Sequence, residues 1–193
     1  MPGKKLKQVG AEDKTMEKTR GFNAVYTKHR MRIYWYVYRK ISKPEESEDI
    51  TADTFLKLYE RYDEVAPRGE KAVIAWLYTV ARNGSIDHLR KQGVRPSRSI
   101  DDEEVDEATK MYDDFVEEAM TEQEIGQIRK VLVHVDSSSQ EILQLRYEEG
   151  MKFKDISQIV GKSEGACKMI LYRALEQVRE DLAVDRETHE KKG

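Results

Sequence analysis

Cysteine occurs once in the 193 residues, at Cys167, so no disulfide can form within the chain and a reducing cytoplasm is the expected compartment. No apolar run approaches the ~20 residues needed to cross a bilayer. The amino-terminal MPGKKLKQVG carries basic residues without the apolar stretch of a signal peptide, so membrane insertion is not expected. The histidines His29, His88, His134 and His189 lack metal-ligand spacing, and neither a phosphate-cradling glycine loop nor a nucleophile-and-base arrangement is present. The expectation is therefore no enzyme, no metal, no cofactor and no small-molecule substrate.

What is present is charge. Charged residues make up 37% of the chain, well above the usual quarter, which points to small helical units and polar linkers rather than one large core. The net charge of -3 by itself argues against a nucleic-acid partner, but the distribution reverses that conclusion. Between Ser99 and Glu124 twelve carboxylates face Lys110 alone, a local charge of -11, so the remainder carries -3 + 11 = +8.

One stretch stands out within the basic part, AWLYTVARNGSIDHLRK from Ala75 to Lys91. Trp76, Val80, Asn83 and Asp87 recur at three- and four-residue steps, which on a helix stacks an aromatic, an amide and a carboxylate along one face. Arg82, His88, Arg90 and Lys91 lie on or beside it, and Gly93, Arg95, Pro96 and Arg98 follow as a basic, helix-breaking tail. Phosphates would take the charge, unpaired bases would stack on Trp76 and Tyr78, and Asn83 offers the paired donor and acceptor of a base edge. On periodicity alone, an ordinary amphipathic helix with Trp76 in a core and a solvated basic end is the favoured reading.

The WLYTVARN run, IDHLRK and the GVRP turn together resemble region two of the extracytoplasmic-function (ECF, group IV) RNA polymerase sigma factors. That resemblance implies a segment that separates the promoter strands at the minus-ten element and reads one of them, through Trp76, Tyr78, Arg82, Asn83, Asp87, His88, Arg90 and Lys91. SEDITADTFLKLY, from Ser47 to Tyr59, is similar to the family's main polymerase-binding segment. It implies that Asp49, Asp53, Phe55 and Leu56 include contacts to core RNA polymerase. Ala52 stands where the family commonly has glutamine. The same residues have a structural account, since acids in a first turn favour the positive end of the helix dipole and Phe55 suits a core.

In chain order, residues 1–18 read as a flexible extension. From Thr19, Phe22, Val25, Tyr26, His29, Ile33, Val37 and Ile41 mark a helix with one buried stripe. The run Tyr34, Trp35, Tyr36 and Tyr38 covers more than one face, so some rings should meet a second helix and others a partner. Pro44 breaks the pattern, and Ser47 or Asp49 can cap the next helix. YDEVAPRGE, from Tyr62 to Glu70, reads as a surface loop; the resemblance gives it the closing of a pocket over a flipped base. Residues 96–122 form an acidic linker, which in the family threads the polymerase interior.

Periodicity returns with Ile125, Ile128, Val131, Leu132 and Val135. A capped helix with Ile142, Leu145 and Tyr147 then ends at Gly150. Phe153, Ile156, Ile159 and Val160 make a short helix, Gly161 the turn, and Ser163 the cap of a longer helix with Cys167, Ile170, Leu171, Ala174 and Val178 facing inward. This is a helix-turn-helix pattern, with Glu164, Gly165, Lys168, Met169, Tyr172 and Arg173 outward and Arg146, Lys152, Lys154 and Lys162 available to phosphates. SEGACKMILYRAL resembles the region-four segment that reads the minus-thirty-five element, which implies Lys162, Ser163, Glu164, Gly165, Lys168, Met169, Tyr172 and Arg173 as its DNA-binding residues. Ile170 stands where the family often has arginine, and from Ser163 to Leu182 four acids oppose three bases.

The expected architecture is all-α: two small helical domains joined by a flexible acidic linker. The region-two bundle spans 19–95, the linker 96–122, the region-four helix-turn-helix 123–184 and a tail 185–193. The expected partners are core RNA polymerase, promoter DNA and an anti-sigma factor. A conventional helix-turn-helix regulator and a helical adaptor that binds only proteins are the alternatives.

Overall fold

The computed structural model describes residues 3–93 and 136–190, with side chains described for 14–93 and 136–177. Among the described residues every regular element is helical. The chain divides into two units, Met1–Pro96 and Ser97–Gly193. The acidic linker and the expected helix from Ile125 to Val135 lie outside the described residues, as do Arg95, Pro96 and Arg98.

The first unit is built on α1 (Gly3–Ile41), whose buried positions His29, Ile33, Tyr36, Val37 and Ile41 repeat at helical spacing. It begins well before the expected Thr19. Lys4 to Lys18 contains no proline and mostly strong helix formers, so nothing in that stretch stops the helix. Lys18, assigned to the flexible extension, is instead anchored, with Nζ 3.2 Å from Asp63 and 4.9 Å from the Tyr59 ring centroid.

Ser42 turns the chain with φ 58, its N–H donating to Tyr38 O at 2.7 Å, and α2 (Pro44–Glu60) follows. Neither Ser47 nor Asp49 caps α2. Pro44 starts the helix three residues before Ser47 because its fixed φ suits the first helical turn. Ser47 is instead buried, its hydroxyl donating to Lys43 O at 2.6 Å. Thr51 and Thr54 donate likewise to Ser47 O and Ile50 O, so the polar groups on this face are satisfied within the helix.

The expected surface loop is a pair of short helical turns, α3 (Tyr62–Val65) and a 3-10 turn (Ala66–Arg68), held down by buried Val65. Gly69, at φ 94, then launches α4 (Glu70–Lys91), which buries Val73, Leu77, Tyr78 and Ala81 against α1 and α2. Side chains of this size each gain about 1.5–3 kcal/mol on full burial. Edge-to-face pairs knit the elements: Phe22 with Tyr59 at 5.1 Å, Tyr26 with Phe55 at 5.0 Å, and Tyr36 with Tyr78 at 4.9 Å.

The second unit opens with Asp136, whose carboxylate accepts from Ser138 N at 2.9 Å and Ser139 N at 3.2 Å and so caps α5 (Ser137–Leu143). A π-helical segment (Gln144–Glu148) ends at Gly150, φ 64. α6 (Phe153–Val160), a left-handed Gly161 at φ 69, and α7 (Glu164–Glu190) complete it. Ala166 N donates to Ser163 Oγ at 3.1 Å, the expected cap. Ile142, Leu145, Ile156, Cys167, Ile170 and Leu171 form the core. α7 continues past the expected 184 boundary as helix.

Candidate nucleic-acid interfaces

α4 supplies the first surface. Val73, Leu77, Ala81 and Ser85 recur every fourth residue and are buried, fixing how the helix is rotated. At about 100° per residue, Trp76, Val80, Asn83 and Asp87 share a sector roughly 60° wide beside that stripe. Trp76 and Val80 are half-buried, while Asn83 and Asp87 are exposed. The face drawn from spacing is therefore accessible, with its ring at one end and its carboxylate at the other.

Tyr78 must be removed from this set. It is 1% exposed and meets Tyr36 edge-on at 87°, so it is a core ring that no base can reach. Two positions after Trp76, it points about 200° around the helix, across the buried stripe. Arg82 also leaves the helix well away from the Trp76 sector and is half-buried. His88, Arg90 and Lys91 form a basic last turn, which suits the negative end of the helix dipole. Arg90 Nη1 lies 3.8 Å from Asp87 Oδ1, and the His88 ring meets Gln92 at 2.9 Å.

The start of α4 is tied to α1 by contacts between residues far apart in sequence, of which spacing gives no sign. Lys28 Nζ lies 2.5 Å from Glu70 Oε1, and this hydrogen bond holds the Glu70 carboxyl below its ordinary value. His29, beneath it, is 3% exposed and 4.0 Å from the same carboxylate. Burial pushes the imidazole pKa down, Lys28 and Arg32 push it further, and Glu70 opposes them.

α2 presents a second surface. Asp49, Ala52, Asp53 and Leu56 follow helical spacing and are exposed, Leu56 at 58%, with Asp53 paired to Lys57 at 2.7 Å. Phe55 is not part of it. It is 2% exposed and packed on Tyr26 and Phe22, because its position continues the Thr51, Thr54 and Leu58 stripe.

In the second unit the turn at Gly161 and the Ser163 cap bring the start of α7 to the surface. Ser163, Glu164 and Arg173 are exposed and Lys162, Gly165, Lys168 and Tyr172 half-buried, with the Tyr172 hydroxyl donating to Glu176. Met169 is 8% exposed and belongs to the core beside Ile170, so it is withdrawn from the outward set. Gly165, Lys168 and Tyr172 share one face, and Met169 lies on its inner margin. Arg146 donates to Met151 O at 3.0 Å and covers the Phe153 ring, which makes it a brace for the turn. Lys152 and Lys154 are exposed, as a phosphate contact requires.

Residues 25–95 match the Sigma-70 region 2 family, and residues 118–178 match Sigma-70, region 4. The chain is similar to the ECF RNA polymerase sigma factor BldN of Streptomyces coelicolor, 27% identical over 158 residues, covering 80% of this chain and 57% of BldN's length. It is also similar to the RNA polymerase sigma-H factor of Pseudomonas aeruginosa, 27% identical over 165 residues, with 82% and 84% covered. For ECF RNA polymerase sigma factor SigW of Bacillus subtilis the figures are 25% over 187 residues, 93% and 95%. Among solved structures, the fold is like that of the sigma factor RpoE in complex with the anti-sigma factor NepR from Bartonella quintana, at TM-score 0.57 and 20% identity, covering 86% of this chain and 99% of that one. CnrH, in complex with the cytosolic domain of CnrY, gives TM-score 0.54 at 19% identity, with 86% and 90% covered.

Proposed function

The chain belongs to the sigma-70 family, carrying its regions 2 and 4 in order, and from that premise we propose that it is an ECF, group IV, sigma factor whose named surfaces divide the work of initiation. It binds core RNA polymerase, directs it to promoter DNA and opens the minus-ten element. The α2 surface of Asp49, Asp53 and Leu56 engages the polymerase. The α4 face holds unpaired minus-ten bases, Trp76 by stacking and Asn83 by its amide, while Arg90 and Lys91 serve the backbone. Lys162, Ser163, Glu164, Gly165, Lys168, Tyr172 and Arg173 at the start of α7 meet the minus-thirty-five element.

One observation carries this reading: the stripe Val73, Leu77, Ala81 and Ser85 is buried, and that rotation leaves Trp76, Asn83 and Asp87 at the surface together. Melting needs no covalent step. A base stacked on Trp76 gains about 1–3 kcal/mol, comparable with the few kcal/mol that its extrusion costs. The turns from Tyr62 to Gly69 stand beside this face in sequence, and we assign them the pocket for a flipped base.

RpoE and CnrH have each been solved with a protein partner, and an anti-sigma factor is proposed for this chain as well. The test of the DNA assignment uses holoenzyme reconstituted with core polymerase and a promoter selected from its own genome. Permanganate footprinting should show unpaired thymines with wild type, and none with Trp76→Ala or Asn83→Ala at undiminished polymerase binding. Full opening by both variants would refute the assignment.

A further inference from the structure

Opposite its buried stripe, α1 carries Met31, Tyr34, Trp35 and Tyr38, at the i, i+3, i+4 and i+7 positions of one helical face. Met31 and Trp35 are each 48% exposed, although both are large apolar side chains. The rings interlock: Trp35 meets Tyr34 at 5.2 Å and 73°, and Tyr38 at 5.5 Å and 90°, while Tyr34 and Tyr38 stack at 6.0 Å. Among the described residues none of these four side chains belongs to the buried core, and Tyr34 and Tyr38 are half-buried. From Lys18 to Lys43 the sequence holds eight lysines and arginines and no carboxylate, and Arg30, Arg32 and Arg39 flank the ridge. All three arginines are exposed and make the rim.

We propose that the Met31–Tyr34–Trp35–Tyr38 face is a docking seam for an acidic amphipathic helix of a protein partner. Tyr, Trp, Met and Arg are the residue types enriched where proteins bind, and Trp, Tyr and Arg supply most energetic anchors. Their spacing is that of a helix-against-helix seam. A second copy of this chain is disfavoured, because an antiparallel or parallel pairing would set the arginine rims against each other. A nucleic acid is disfavoured by ring geometry: base stacking needs open faces in succession, whereas Trp35 is packed edge-on to Tyr34 and Tyr38, and those two rings stack on each other. Charge complementarity therefore selects a partner helix with apolar residues on its seam and carboxylates along both flanks. The seam involves neither α2 nor α4, so it stands apart from the polymerase and minus-ten assignments.

The test uses the full chain and a fluorescent synthetic helix with leucine at heptad positions a and d and glutamate at e and g. A second peptide has lysine in place of glutamate, and a thymidine oligonucleotide serves as the nucleic-acid probe. Anisotropy should show the glutamate peptide binding about tenfold or more tightly than the lysine peptide, with affinity falling as salt rises. Trp35→Ser should weaken it about tenfold, as should the double variant Arg32→Glu, Arg39→Glu, each with unchanged core binding by α2. Equal binding of the two peptides would overturn the proposal. So would undiminished binding by both variants, or oligonucleotide binding that is lost with Trp35→Ser.

Discussion

Phe55 and Leu56 are neighbours in sequence, one buried and one exposed, and substituting each by alanine separates packing from the proposed recognition. Phe55 is 2% exposed, edge-on to Tyr26 at 5.0 Å and in reach of Phe22 at 6.5 Å. Phe→Ala at such a site costs about 3–5 kcal/mol from lost transfer energy and the cavity left behind. In a unit of this size that lowers Tm by at least about 10 °C. Leu56, 58% exposed, makes too little contact for its truncation to move stability by more than ~0.5 kcal/mol. Thermal unfolding followed by circular dichroism, paired with titration against core polymerase, reads both quantities. Leu56→Ala should melt like wild type and bind polymerase about tenfold more weakly, as expected for a central apolar anchor. If Phe55→Ala kept its melting temperature, or Leu56→Ala lost it, the assignment of α2's two faces would be refuted.

His29 makes a pH prediction. Its folded pKa lies below the ordinary 6.5, chiefly through burial, so the unfolded chain takes up the proton first. Stability from this site is complete above 6.5 and declines as pH falls below it. Lys28 and Arg32 reinforce the trend and Glu70 opposes it. Melting temperatures across this range should slope less steeply in His29→Gln, and an unchanged slope would contradict the burial argument. Ser42, at φ 58, adopts a conformation that favours glycine. Ser42→Gly should stabilise the first unit by ~0.5–1 kcal/mol in denaturant melts, and a loss of stability would show the turn is unstrained.

The all-helical character and the helix-turn-helix were legible because they rest on periodicity and on punctuation whose physics is local. Asp136, Gly150, Gly161 and Ser163 each act on residues within a turn of themselves. Spacing also placed Trp76, Val80, Asn83 and Asp87 on one accessible face. Errors arose where the question was which of two helix faces meets a neighbour. Tyr78, Phe55 and Met169 have chemistry suited to either an interface or a core. Only the packing of α1 on α4, of α1 on α2, and within the second unit decided for the core. The start of α1 was missed for a different reason: a polar helix formed from strong helix formers has no apolar stripe to announce it. The long-range pairs Lys18–Asp63 and Lys28–Glu70 were likewise invisible, since exposed charges carry no pattern that names their partner.

Initiation by this chain requires that the exposed α2 strip engage the polymerase. The most direct measurement is binding of the purified chain to bacterial core RNA polymerase, comparing wild type with Asp53→Arg, Leu56→Ala, two substitutions on exposed positions that leave the core intact. Tight binding by wild type and its loss in the folded double variant is the predicted result. A folded wild-type chain that fails to bind, or a double variant that binds as well, would contradict the claim.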